Sequence, residues 1–425
     1  MTSEKTIATP PSPARHQLRL TALATPVVPK LDGVGVEQRA ARTLAALAEL
    51  GRVDVTLCRP LWADLARRST GGASWGLRLD PLPGELVLRR AALRWPRSQW
   101  VAGIAETAHR LLPRADRLTV TLSRGMGLLQ GLRAGTAPER THFHAFRLAA
   151  AAALPTPRPR RCEIDLDDLE SEVARAIAEL ARRLGDTAVA SFYQALAERL
   201  VALEQRLLPR FDRAYVGSGA DAAWLASRMP NLELRILPNV VDLPALTPAG
   251  REPGPTRFLF VGALAYYPNI DALRVLVDDV LPRLRSLRRE QFTLHVVGRG
   301  CPPWLEARLR ADPNVVFHGA VATMAPHFAA ADALVVPLRA GGGTRIKLLE
   351  AFAQRVPVIA TTIGAFGLDV ADGRELVLAD GADALAEACA RFIDDPGHAR
   401  PLTDAAFELV RLHHQARVFS ECLQR

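Results

Sequence analysis

The chain has 425 residues, a formal net charge of +9, 49% hydrophobic residues and 23% charged residues. That length suits two domains, and the balance excludes disordered and fibrous classes. No apolar run reaches the ~20 residues of a membrane span, and the five scattered cysteines (Cys58, Cys162, Cys301, Cys389, Cys422) offer no zinc-ligand spacing.

Met1 to His16 is polar and proline-rich and reads as a disordered tail, residues 1–16, without a secretory signal. A first domain over 17–243 opens with a strand at Leu18–Ala24, a loop holding Gly33 and Gly35, a helix over Val36–Leu50 and a strand at Val53–Leu57. Val36, Ala40, Leu44, Leu47 and Leu50 fall on one helical face, so this is a βαβ opening. Further strands are predicted at Glu85–Leu88, Leu118–Leu122, Cys162–Asp165, Ala214–Val216 and Leu234–Pro238, with a helical region over Glu172–Leu208 broken at Gly185-Asp186.

Residues 244–255 hold four prolines and two glycines and form a linker. A second α/β series over 256–400 follows. Its strands are expected at Arg257–Val261, Phe292–Val297, Val315–Phe317, Ala333–Pro337 and Val358–Thr361. Its helices are expected at Asp271–Leu284 (with Asn269 as N-cap), Pro303–Arg310, Ala325–Ala331 and Ile346–Gln354. Short apolar strands alternating with helices predict parallel sheets covered on both faces. Residues 401–425 read as a closing helical segment. Two doubly wound domains facing one another place the default ligand site in the cleft between them.

Gly341-Gly342-Gly343-Thr344-Arg345 joins the apolar run Ala333–Leu338 to the helix that follows. A glycine-rich turn into a helix start presents free N–H groups to an anion, phosphate in particular. Lys347 and Glu350, three apart, share a helix face. A cation for a diphosphate beside a carboxylate for ribose hydroxyls suits a nucleotide; a plain loop with a solvated helix end is the bland alternative. Lys5, Lys30 and Lys347 are the chain's only lysines, so a compact point charge at this place is mild support.

Several segments together resemble a glycosyltransferase of the GT-B fold, family 4 type. They are Phe260-Val261-Gly262-Ala263-Leu264, Val296-Val297-Gly298-Arg299-Gly300, Val316-Phe317-His318-Gly319, Ala330–Pro337, Gly342–Ala351, Asp165–Ser171 and Pro238–Asp242. The resemblance runs from about Leu18 to about Pro396. It implies retaining, metal-independent transfer of a sugar from a UDP- or GDP-linked donor, with no cofactor. The donor is expected on the second domain at Gly262, Gly298, Gly342, Gly343, Thr344, Arg345, Lys347 and Glu350. The acceptor (a sugar, lipid-linked or small-molecule hydroxyl) is expected on the first domain near Gly33, Gly35, His144 and Asp168. Asp167, Arg345 and Lys347 are the expected catalytic residues, the two cations stabilising the leaving diphosphate.

The sequence departs from the pattern twice. Many members carry a glutamate eight residues before the one that Glu350 matches, and Gly342 stands there. Many also carry an arginine and a lysine after the opening strand, where this chain has Ala263 and Tyr266–Asn269. Loss of the first glutamate keeps a second class of function open, a nucleotide-sugar-binding scaffold without transfer. An epimerase would need further carboxylates and a histidine near Glu350. Dispersed positive charge without aromatic stacking motifs argues against a nucleic-acid partner. Arg89, Arg90, Arg94 and Arg97 mixed with Trp95 and Trp100 suit peripheral contact with an anionic membrane or a solvated basic face. The expected location is the cytoplasm, including the inner face of the membrane.

Overall fold

The computed structural model describes residues 21–25, 35–50, 53–57, 86–90, 142–154, 158–244, 254–288 and 291–424. The expected tail, Gly33, the strand at Leu118–Leu122, Arg94, Arg97, Trp95 and Trp100 lie outside them, as does most of the linker.

Two parallel sheets form the framework. The first holds β1 (Thr21–Thr25), β2 (Val53–Leu57), β3 (Leu86–Arg90), β4 (His142–Phe146), β5 (Arg161–Asp165), β6 (Arg213–Val216) and β7 (Glu233–Ile236), in the order β3-β2-β1-β4-β5-β6-β7. The second holds β8 (Thr256–Val261), β9 (Phe292–Val297), β10 (Val315–Gly319), β11 (Ala333–Val336), β12 (Val358–Ala360) and β13 (Val377–Leu378), in the order β10-β9-β8-β11-β12-β13. In each, the strand order reverses beside the first strand, which is the switch point where ligand crevices open in doubly wound folds.

One core fills the second domain, built on Phe258, Phe260, Phe292, Leu334, Leu348 and Phe352. The first domain has a core on each sheet face. Phe143, Ile164 and Leu208 lie in one; Leu44, Leu47, Phe146 and Tyr215 lie in the other. The closing segment divides at His414. Helix Arg400–His413 puts Ala406 and Val410 into the second core, whereas helix Ala416–Gln424 lays Phe419 and Leu423 against Leu44 and Leu47 of the first. Val241 N–H donates to the His414 carbonyl at 2.9 Å, tying the return crossing to the outward one.

Several local expectations need correction. Strand β4 was not foreseen; both its faces are covered, so every residue is buried. The helix after β8 begins at Tyr267, with Pro268 in its first turn, and continues through a π-helical stretch, Val275–Val280, to Leu287. Asn269 is therefore inside the helix rather than its N-cap; its amide donates to the Ala263 carbonyl at 2.9 Å. The expected break at Gly185-Asp186 is present: it separates helices Glu170–Arg183 and Thr187–Leu207, and the Asp186 side chain caps the second by accepting from Val189 N–H. Helix Ala382–Asp394 and strand β13 were missed.

Candidate active site

The glycine-rich loop leaves β11 and enters helix Ile346–Ala353, whose N-cap residue Arg345 makes no side-chain cap. Gly341 and Gly343 take φ values of 117° and 69°, open to glycine and strained for other residues. The Arg345 guanidinium folds back over the loop and donates to the Gly342 carbonyl at 2.8 Å, while its Nε is buried without a partner. Lys347 Nζ donates to Asn269 Oδ1 at 3.3 Å and sits 5.1 Å from the centre of the Phe260 ring. Gly262 makes this possible: a Cβ there would come within 2.7 Å of the Asn269 amide. Gly298 is equally constrained, since its Cβ would overlap the Gly262 carbonyl at 1.9 Å. These two glycines let β8 and β9 end close together, with Asn269 lodged between them and Lys347.

Burial, then repulsion from Arg345, pushes the Lys347 ammonium down to about 7, against the attraction of Glu350. Burial likewise lowers Arg345 and raises Glu350. Among the described residues, neither Arg345 nor Lys347 has a carboxylate within ion-pair distance. Two half-buried cations without a carboxylate partner are complementary to an anion.

The facing wall is the turn after β5. Arg39, on helix Gly35–Glu49, is fully buried with Asp165: Nε lies 2.9 Å from Oδ2 and Nη2 lies 2.8 Å from Oδ1. Its third nitrogen donates to Asn239 Oδ1 at 3.1 Å. Asp165 Oδ1 accepts from Asp167 N–H at 3.0 Å and so fixes the turn. Asp167 and Arg147 stand at the carboxyl ends of neighbouring strands with φ of 64° and 66°. Non-glycine residues in that region carry strain that the surroundings must hold. Here Arg147 supplies the restraint, pairing with Asp167 at 3.2 Å, Asp168 at 2.8 Å and Glu170 at 2.5 Å. Burial raises Asp167 against the pull of Arg39 and Arg147, and pushes Asp168 up to about 6.

The two walls touch. Thr344 Oγ1 donates to the Gly217 carbonyl at 3.1 Å, and Gln38 donates to Glu350 at 3.3 Å. A Cβ on Gly343 would lie 2.9 Å from Asp168 Cβ, and one on Gly342 would lie 2.8 Å from Val173 Cγ2. The residue that stands in place of the glutamate thus has a packing reason to be glycine: helix Glu170–Arg183 occupies the side-chain position.

The structure therefore gathers Gly262, Gly298, Gly342, Gly343, Thr344, Arg345, Lys347, Glu350, Asp167, Asp168 and Gly35 around one cleft, Gly35 lying against the Ile346 side chain. It does not bring His144 there. That residue is the midpoint of β4, fully buried and stacked on the Tyr215 ring, because a central strand is covered on both faces. Asp168 does not cap the following helix, whose N-cap is Leu169 without a side-chain bond. Ser218 caps helix Gly219–Arg228, accepting from Asp221 N–H at 3.1 Å. Sequence reasoning missed Arg39, whose signal was an arginine on the apolar face of an amphipathic helix. It also missed Tyr266, half-buried within electrostatic reach of Arg345 and Asp168.

Residues 255–395 match the model of the family described as glycosyl transferases group 1. The lipopolysaccharide core biosynthesis mannosyltransferase LpsB of Rhizobium meliloti is 29% identical over 225 residues, 48% of this chain; the chain spans 62% of that relative's length. Among solved structures, sucrose-phosphate synthase of Thermosynechococcus elongatus superposes with a TM-score of 0.60 at 16% identity, over 96% of this chain and 97% of the other. Anabaena HepE in complex with UDP-glucose gives 0.57 at 15% identity, over 95% and 98%. The whole chain thus has the two-domain architecture of the GT-B fold, and residues 255–395 within it match the glycosyl transferases group 1 model.

Proposed function

We propose that this protein transfers a sugar, with retention of configuration, from a nucleoside diphosphate sugar to an acceptor hydroxyl, in the assembly of a polysaccharide, glycolipid or glycosylated metabolite. One observation carries the reading: Arg345 and Lys347 lie half-buried at the opening of a helix in the cleft, with no carboxylate within ion-pair distance among the described residues, one turn from Glu350. The diphosphate would meet the two cations and the free N–H groups of the helix start, and the ribose hydroxyls would meet Glu350. Charge develops on the leaving diphosphate as the glycosidic bond breaks, and the cations are most effective at that moment in a dry cleft. The acceptor would lie toward Asp167 and Asp168, whose carboxylates can accept from sugar hydroxyls. No metal or cofactor is required by this scheme. The naming of LpsB as a mannosyltransferase and the UDP-glucose complex of HepE support a hexosyl donor.

Thermal-shift titration with UDP, GDP and their sugars tests it. A ligand at a hundred times its dissociation constant adds roughly 2.7 kcal/mol. Glu350→Ala should remove the nucleotide shift, and Lys347→Ala should remove the preference for diphosphates over nucleosides. Wild-type shifts in both variants would place the donor elsewhere. NMR of the product's anomeric centre reads retention directly. The second reading, a scaffold that binds donor without transfer, rests on the missing carboxylate at Gly342; donor turnover in vitro separates the two.

A further inference from the structure

A group of side chains outside the cleft has the makings of a metal centre. Strands β4 and β5 pair in register, His144 against Glu163, and residues two apart on a strand share a face. His142, His144 and Glu163 therefore project together, all buried, with their ligating atoms within 4.8 Å of one another. His142 Nε2 lies 3.0 Å from Glu163 Oε2. His144 Nδ1 lies 3.9 Å from that oxygen, too far for a hydrogen bond. Both ring nitrogens of His144 are buried with no hydrogen-bond partner. An imidazole desolvated on both nitrogens is costly, and such groups in native proteins call for an ion or a water.

The two carboxylate oxygens of Glu163 have separate tasks. Oε1 accepts from Arg161 Nε at 2.8 Å and from the Tyr215 hydroxyl at 3.3 Å, with Arg213 Nη1 at 3.4 Å. Oε2 is left to the histidines. A ligating carboxylate needs that division: one oxygen oriented by neighbours and the other presented to the ion. The Tyr215 ring, stacked on His144 with centroids 6.0 Å apart, sets the imidazole plane. Two arginines nearby oppose any cation, so the ion must gain more from imidazole bonding than magnesium or calcium does; zinc and the later first-row divalent metals meet that requirement. The group sits within the sheet, below the carboxyl ends that carry Asp165 and Asp167, which gives it no access to a donor or acceptor in the cleft.

We propose that His142, His144 and Glu163 form a buried site for a zinc-type divalent ion that joins the two central strands of the first domain, a structural role separate from transfer. With three protein ligands, water takes the remaining position. Because no ligand is exposed, metal enters as the chain folds.

The test uses the full chain expressed in zinc-supplemented medium, or refolded with zinc(II) or cobalt(II), and dialysed against metal-free buffer. We expect about one metal ion per chain, visible d–d absorption of tetrahedral cobalt, and a lower Tm after metal is stripped under partial unfolding. His144→Leu and Glu163→Gln should abolish retention. His318→Ala is the control, because the exposed His295–His318 pair, 3.0 Å apart on the second domain, could hold metal at the surface; it should leave retention unchanged. The idea fails if wild type retains no metal, or if retention survives His144→Leu and is lost in His318→Ala. Should the His144 variant not fold, the stoichiometry and cobalt spectrum of the wild type still decide.

Discussion

Replacing Arg39 tests the account of the cleft's rigid wall. Both side chains of the Arg39–Asp165 pair are wholly excluded from solvent, and the guanidinium spends its nitrogens on Asp165 and Asn239. In Arg39→Met the hydrocarbon stem survives, but Asp165 keeps a buried charge with its main partner gone. Removing one member of such a pair costs about 3–5 kcal/mol. In a domain of this size each kcal/mol moves Tm by about 2–4 °C, so a fall of about 6–20 °C is expected for the first domain in a calorimetric scan. Adding Asp165→Asn removes the stranded charge, and the double variant should recover part of the loss. The partly exposed Arg42–Asp242 pair, at 2.6 Å, is the reference; Arg42→Ala should cost below about 1 kcal/mol. If Arg39→Met costs no more than Arg42→Ala, the pair does not hold the wall and the strained turn at Asp167 has another support.

Three further outcomes follow from the same geometry. Lys347, pushed down to about 7, must regain its proton to meet a diphosphate, so affinity for UDP should fall as pH rises through neutrality and above; calorimetric titration across pH reads this, and Lys347→Met should flatten the profile. In the unliganded protein the depressed base binds fewer protons than the unfolded chain between about 7 and its ordinary 10.5, so its contribution to stability rises with pH across that window. Glu204, raised by burial to about 7 while accepting from the Ser171 hydroxyl at 2.8 Å, holds its proton more tightly when folded; its destabilising effect grows as pH climbs from 4.5 to about 7, and Glu204→Gln should raise Tm at neutral pH but not well below 4.5. Gly342→Ala should press on Val173 when the domains meet; overpacking of about 1–3 kcal/mol would lower kcat/KM by roughly 5-fold to 160-fold, and Val173→Ala should restore it. A Gly342→Ala enzyme with unchanged kinetics would mean that transfer does not need the closed arrangement.

Arg345, Lys347 and Glu350 were legible without coordinates because they are local: a glycine turn, a helix start and a spacing of three lie within ten consecutive residues. The order of strands and helices was legible for a similar reason, since buried parallel strands are short apolar runs. Burial of both faces of β4 was not legible in His-Phe-His-Ala-Phe, because alternation on a strand is read as one wet face, and the face carrying Phe146 is covered by a helix that the chain supplies about a hundred residues earlier. The pairing of Arg39 with Asp165, 126 positions apart, has no local signature either. Nor do the meeting of Gly342 with Val173 and the convergence of His142, His144 and Glu163.

What the linear order determined by itself was the periodicity of each element and which charged groups stand at the glycine-rich turn, both set by neighbours along the chain. Tertiary structure alone decided which polar groups lost their water. Desolvation depends on what packs from distant segments, and it is desolvation that turns an arginine into a buried strut, a lysine into a near-neutral cation and a histidine into an imidazole in want of a ligand.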